Sequence, residues 1–346
     1  MRVSDLDYEL PQDLIAQAPA DPRDSSRLLV ARRDNSPFQT RIFRELPSLL
    51  SAGDILVTNS ARVMPARLLG YKYPSGARIE VLLLERLASP DPGPRFKALL
   101  RRRRRLEKGN LVMFPESRLV AKVVESNPEL GEDVIELSGV QDIENEIDRI
   151  GTIPLPPYIT EYEGDLSRYQ TVYARITGSV AAPTAGLHFT PELLQRLESA
   201  GIHRAEVHLR VSWGTFSPIR TENIEDHSLQ AEDGEITADI ADTINKAREL
   251  GGRVVAVGTT ATRLLESAAD NSGVICPFKG PTSLYITPGY TFKAVDALIT
   301  NFHLPRTSLL GLVASFLGTE RTLEAYRYAV KERFRFYSFG DAMLIL

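Results

Sequence analysis

The apolar residues of this 346-residue chain change their spacing part-way along, and that change limits the fold more than any other feature. Arg67–Gly70, Ile79–Leu84, Lys97–Leu100, Leu111–Phe114, Leu119–Val124 and Val134–Leu137 are short apolar or β-branched runs. Pro74-Ser75-Gly76, Pro92-Gly93-Pro94, Lys108-Gly109-Asn110 and Asn127-Pro128 separate them. Short runs between such turn signals predict a small β-barrel or sandwich, without a long helix. From about residue 190 the period becomes helical. Thr190 supplies a cap, Pro191 a first helical position, and Leu193, Leu194 and Leu197 an apolar stripe that ends near Gly201. Ala205, Val207, Leu209 and Val211 alternate with polar residues, which predicts a strand. Ile236, Ile240, Ile244 and Ala247 predict a helix stopping at Gly251-Gly252, and Arg253–Val257 a buried strand. Residues 262–269, 305–317 and 323–331 read as further helices. Strands alternating with helices indicate an α/β layer.

Ile55-Leu56-Val57, after the Gly53-Asp54 turn, is an early strand that has no core of its own. The β-block is therefore expected as an insertion into one α/β domain. The expected architecture is an α/β body of residues 1–60 and 151–346 with an antiparallel β-barrel inserted at 61–150, two domains in all.

Composition excludes several classes. Charged residues at 25% and hydrophobic residues at 43% are those of an ordinary globular protein, not a disordered tail or a fibre. A single cysteine, Cys276, excludes an internal disulfide framework and a cysteine-based zinc cluster. Asp5, Asp7 and Glu9 near the start, with no apolar stretch there, are not a signal peptide. No run approaches the roughly 18 apolar residues of a membrane span, so a cytoplasmic protein with no membrane partner is expected, by default a monomer.

Four stretches are too rich in glycine, threonine and histidine for packing alone. Gly178–Phe189 (GSVAAPTAGLHF) lets a ligand approach the backbone and runs into a helix start, where amides favour an anion. The same loop also suits a plain structural turn. Val257-Gly258-Thr259-Thr260-Ala261-Thr262-Arg263 joins a buried strand to hydroxyls that can cap a helix or hold a carboxylate or ribose. It is neither a Walker loop nor GxGxxG. Thr300-Asn301-Phe302-His303-Leu304-Pro305 sets a histidine before a helix expected to begin at Pro305. An unperturbed imidazole titrates near 6.5, which suits proton exchange at neutral pH. Trp213-Gly214-Thr215-Phe216, followed by Glu225-Asp226-His227 and Glu232, has no metal-ligand spacing, and no metal is expected.

The net charge of −4, from 41 Lys+Arg and 45 Asp+Glu, first argues against a nucleic-acid partner. It is an average over unlike regions. Residues 95–108 hold Arg95, Lys97, Arg101, Arg102, Arg103, Arg104, Arg105 and Lys108 against Glu107 alone. Residues 221–235 hold acids and no Lys or Arg. Five consecutive arginines can neutralise several phosphates, and Arg62, Arg67 and Arg78 add to the same block; a solvated charged face is the plain alternative.

Together these segments resemble one family, the S-adenosylmethionine:tRNA ribosyltransferase-isomerases of queuosine biosynthesis. The resemblance spans nearly the whole chain. It runs through Ser26-Arg27-Leu28-Leu29-Val30, Gly53–Val57, Arg62–Leu68, Pro154–Ile159, Tyr169–Ala174, Gly178–Phe189, Gly214-Thr215-Phe216, Ala256–Thr260, Pro288-Gly289-Tyr290, Thr300–Pro305 and Tyr337–Ala342. Ser60 stands where similar sequences commonly have Asp, and Gln230 where they have His. The resemblance implies the α/β body with an inserted barrel. It also implies transfer and isomerisation of the ribosyl part of S-adenosylmethionine onto 7-aminomethyl-7-deazaguanine in tRNA. Epoxyqueuosine-tRNA, adenine and methionine result, with no cofactor beyond the consumed S-adenosylmethionine.

Such chemistry needs a base for an acidified C5′ proton and an acid for departing adenine. His188, His303 and Glu232 are the candidates, with roles left open among them. Thr259, Thr260 and Arg263 are candidates for the methionine carboxylate, Phe189 and Tyr290 for the sulfonium, and Thr184 and Asn301 for ribose hydroxyls. Arg101–Arg105 are candidates for tRNA phosphates. A non-catalytic tRNA-binding protein and an adenine-releasing nucleoside hydrolase are the competing readings.

Overall fold

The six short runs between residues 67 and 137 become six strands of one closed antiparallel barrel. The computed structural model describes residues 1–34, 36–87, 93–101, 106–127, 131–212, 219 and 221–346. Two compact units are present. One comprises residues 1–62, 157–176 and 182–346, the other residues 63–156 and 177–181.

The first unit is built on nine strands: β1 (Arg27–Ala31), β2 (Gln39–Ile42), β3 (Ile55–Asn59), β12 (His203–Leu209), β13 (Glu232–Ile236), β14 (Val254–Val257), β15 (Phe278–Thr282), β16 (Ala297–Asn301) and β17 (Ala342–Ile345). Their order is β15-β13-β12-β3-β14-β16-β17-β1-β2. The four central strands, β12, β3, β14 and β16, are mutually parallel. All residues of β3, β14 and β16 are buried, which explains why they read as unbroken apolar runs rather than alternating ones. Each strand supplies both faces. Ile55, Val57, Val254 and Ala256 join one core with Ile244, Leu264, Leu310 and Ala325; Leu56, Val255 and Val257 join another with Phe43, Phe189, Leu193 and Leu197.

Helices α2 (Pro191–Ser199), α3 (Ala238–Glu249), α4 (Gly258–Ala268), α5 (Ser308–Leu317) and α6 (Thr319–Lys331) cover these faces. As the sequence predicts, the Thr190 side chain caps α2 by accepting from Leu193 N at 3.1 Å. Several helix starts differ from expectation: α3 begins at Ala238, with Ile236 closing β13, and α6 begins at Thr319 rather than 323. Helix α4 begins at Gly258, directly on the end of β14, and not at residue 262. Helix α5 begins at Ser308, not Pro305, because Arg306 takes a left-handed φ of +59° and the cap is Thr307.

The second unit orders β10 (Glu132–Ser138), β7 (Arg95–Arg101), β6 (Ala77–Leu87), β5 (Arg67–Tyr73), β8 (Leu111–Met113) and β9 (Val120–Asn127) around a closed barrel, β9 pairing back to β10. Alternate residues fill it, as in Phe96, Ala98 and Leu100 of β7. Gly70 is required in β5, since a Cβ there would lie 2.7 Å from the Met113 carbonyl oxygen. Helix α1 (Ile143–Ile150), absent from the sequence reading, is one short segment capped by Asp142 accepting from Asn145 N at 3.0 Å. The short strands β4 (Ala61–Val63) and β11 (Ile176–Ser179) fall where the chain passes from one unit to the other.

Candidate active site

Parallel strands leave their carboxyl ends at one edge of a sheet, and ligands of open α/β sheets bind there. Strand β14 ends at Val257, and Gly258 with φ +89° turns the chain straight into α4. That turn presents Thr259 and Thr260 on the first turn of α4. Beside it, β16 ends at Asn301 and runs on to His303. The 3-10 turn Thr184–His188 adds Thr184. Together these residues line a cleft of the first unit with Tyr158 and Tyr337, open to solvent on one side.

Asn301 is positioned by its amide. Its Nδ2 donates to the Tyr337 carbonyl at 3.0 Å, and Tyr337 N donates to the Phe302 carbonyl at 3.0 Å. Tyr337 holds φ +75°, a conformation that non-glycine residues take only under such constraint. The Tyr158 hydroxyl shares a hydrogen bond with Ser338 Oγ at 2.5 Å. Asn301 Oδ1 and Thr260 Oγ1 are buried and have no hydrogen-bond partner among the described residues. Unsatisfied buried polar atoms are rare, and Thr260 Oγ1 at the cleft points to a ligand that completes it.

His303 lines the cleft, and its Nε2 shares a 2.8 Å hydrogen bond with Thr300 Oγ1. Its backbone is clamped: Tyr8 donates its hydroxyl to the His303 carbonyl, and His303 N donates to the Tyr326 hydroxyl at 3.1 Å. Burial pushes the imidazole down to about 3. His188 lies behind the cleft lining, its Nδ1 bonded to Ser26 Oγ at 2.8 Å and its ring 4.9 Å from that of Phe43. Burial, then the charge of Arg335, pushes it down to about 3 as well, against the side chain of Asn301, which favours the charged ring. Neither His188 Nε2 nor Asn301 Oδ1 makes a bond within normal limits among the described residues. Both rings are therefore neutral at pH 7. The neutral-pH titration expected of His303 from its residue type is removed by burial.

The remaining candidates divide. Thr184, Thr259, Thr260, Asn301 and His303 line the cleft. Glu232 and Arg263 form a buried ion pair outside the lining; Glu232 Oε1 accepts from Ser212 N at 2.8 Å, and Arg263 Nε donates to the Leu284 carbonyl at 2.9 Å. Phe189 is fully buried in the core that contains Phe43 and Leu193, so its ring does not line the cleft. Tyr290 donates its hydroxyl to Glu266 at 3.1 Å, also away from the lining. Arg101 is exposed in the second unit, 3.9 Å from Glu80. Arg102–Arg105 and Trp213–Phe216 lie outside the described residues. Tyr158, Thr300, Tyr337 and Ser338 line the cleft and were not candidates on sequence. Tyr158 and Tyr337 sit in the motifs Pro154–Ile159 and Tyr337–Ala342, which was the available signal.

Residues 3–345 match the family model described as queuosine biosynthesis protein. The chain belongs to the queuosine biosynthesis protein family. Similar chains cover its full length. A protein from Desulfitobacterium hafniense named S-adenosylmethionine:tRNA ribosyltransferase-isomerase is 49% identical over 346 residues, covering 100% of both chains. One of the same name from Moorella thermoacetica is 51% identical over 347 residues, again covering 100% of both. The crystal structure of S-adenosylmethionine tRNA ribosyltransferase from Thermotoga maritima superposes with a TM-score of 0.57 at 39% identity, covering 99% of this chain and 100% of that one. Family membership accounts for an α/β unit and a barrel in one chain.

Proposed function

We propose that the protein is an S-adenosylmethionine:tRNA ribosyltransferase-isomerase. It moves the ribosyl part of S-adenosylmethionine onto 7-aminomethyl-7-deazaguanine in tRNA and isomerises it, releasing adenine and methionine. The observation that carries this reading is identity of 49% and 51% over complete chains with relatives of that name. The cleft at the strand ends supports it. S-adenosylmethionine is a consumed substrate, and no further cofactor is required.

The chain's residues can be assigned work. The first turn of α4, with Thr259 and Thr260, offers amides and hydroxyls to the methionine carboxylate. Thr184 and Asn301 lie on the lining where ribose hydroxyls can meet them. The sulfonium acidifies the C5′ hydrogens, and a neutral imidazole is the form that accepts a proton. We assign the proton-accepting role to His303, on the lining with its ring oriented by Thr300 Oγ1; burial makes it a weak base, so position rather than basicity is what it supplies. His188 sits behind the lining, its ring held by Ser26 Oγ. Glu232 holds Arg263 in place, a structural role.

Incubation with S-adenosylmethionine, with and without tRNA carrying the aminomethyl base, tests the reading. Adenine released only with that tRNA is the expected result. Release without tRNA indicates a nucleoside hydrolase, and no release indicates a binding protein; either refutes it.

A further inference from the structure

The barrel carries a surface that this chemistry does not use. Leu68 and Gly70 of β5 face the barrel interior, while Arg67, Leu69, Tyr71 and Tyr73 face outward. Leu69 and Tyr73 are each 59% exposed, Met113 45% and Tyr71 41%. Large apolar side chains clustered in the open mark interaction sites more often than chance. The strand register places them together: Met113 pairs with Tyr71 and Tyr71 with Arg78, while Leu69 pairs with Glu80 and Glu80 with Arg101. Directly paired residues of antiparallel strands project from the same face. The face is thus two aromatic rings and two aliphatic chains, edged by guanidinium groups. Glu80 is the carboxylate in these rows, 2.8 Å from Arg67 and 3.9 Å from Arg101, and Arg78 leaves the face positive.

We infer that this outer face of β5, β6 and β8 binds unpaired bases of an RNA chain. Tyr71 and Tyr73 are the stacking platform, and Arg78 and Arg101 take the adjoining phosphates. Exposed aromatic rings beside cations are the chemistry that holds single-stranded nucleic acid. A second copy of this chain fits less well, because a two-fold contact would oppose the arginines to themselves. The inference rests on the proposed tRNA substrate.

Binding of an unmodified tRNA transcript, titrated over a range of salt, is the test. Tyr71→Ala and Tyr73→Ala should each weaken binding roughly 5- to 150-fold, with the salt slope unchanged. Tyr71→Phe should retain binding, since stacking needs the ring and not the hydroxyl. Arg78→Ser should reduce the salt slope by about one. Unaltered affinity in the Tyr71→Ala/Tyr73→Ala double variant overturns the inference. So does a dimer, seen by sedimentation, that the double variant dissociates. Adenine release is measured separately. A wild-type protein that binds the transcript through Tyr71 yet releases no adenine refutes the ribosyl-transfer reading and leaves this surface standing. An active enzyme whose RNA affinity ignores both tyrosines does the reverse.

Discussion

His303 combines a reactive ring at the cleft with a backbone held from two sides by Tyr8 and Tyr326. The clamp fixes where the ring points, and the Thr300 contact fixes its rotation. His303→Ala should therefore cut adenine release by 100-fold or more, roughly the worth of a positioned base, while thermal unfolding shows a folded protein. Near-normal release would remove His303 from the mechanism. The two buried rings also make stability depend on pH. Their folded values of about 3 lie below the ordinary 6.5, so between these limits the unfolded chain binds more protons. Stability is full above pH 6.5 and falls as pH drops toward 3. At pH 5 each ring should cost about 2 kcal/mol. Urea unfolding of His188→Gln should show a shallower loss between pH 7 and pH 5 than the parent; an identical pH slope would mean that the ring is not buried neutral.

At the scale of elements, the β14–α4 junction decides where the cleft opens. Gly258 there adopts φ +89°, and a side chain in the left-handed region is strained whatever the space around it. Gly258→Ala should cost about 1–2 kcal/mol in unfolding free energy and weaken S-adenosylmethionine binding, because the first turn of α4 must shift. A variant with parental stability would show that the turn relaxes freely. Further along α4, the buried carboxylate of Glu266 accepts from Lys293 N at 2.9 Å and from Ala294 N and Val295 N at 3.0 Å each. It ties the helix to the segment that leads into β16. Glu266→Ala leaves three backbone donors without their acceptor and should destabilise by about 3 kcal/mol or more in a denaturant titration. A loss under 1 kcal/mol would mean water replaces the carboxylate.

For the whole molecule, the charge of −4 hides a basic block and an acidic one, and RNA meets the local charge. Substituting serine for all of Arg101–Arg105 should flatten the dependence of tRNA affinity on salt by about four, with S-adenosylmethionine affinity unchanged. An unaltered slope would make the run a solvated face only. Among the described residues no helix is long and apolar enough to cross a membrane. The barrel was legible because turn residues separate its short apolar runs, and strands such as β5 and β7 alternate their burial. Helix α1 was not, although Asp142 caps it and Ile143, Ile147 and Ile150 recur at helical spacing; it is a single eight-residue segment with Ile147 alone buried, set among strand signals.

Local chemistry determined much of this protein from sequence alone. Strand and helix types, the Thr190 cap, the barrel runs and the threonine and histidine stretches are set by neighbours in the chain. Tertiary structure decided which of those stretches meet. Glu232, Arg263, Phe189 and Tyr290 lie in motifs as distinctive as those of Thr260 and His303, yet packing turned them to an ion pair, a core and a partner carboxylate. Tyr158 and Tyr337 entered the cleft from segments about 180 residues apart, bridged by the Tyr158–Ser338 hydrogen bond. The physical reason is that burial and long-range pairing set both the direction of a side chain and its proton affinity. The same imidazole that titrates near 6.5 in water stays neutral to about 3 inside this fold.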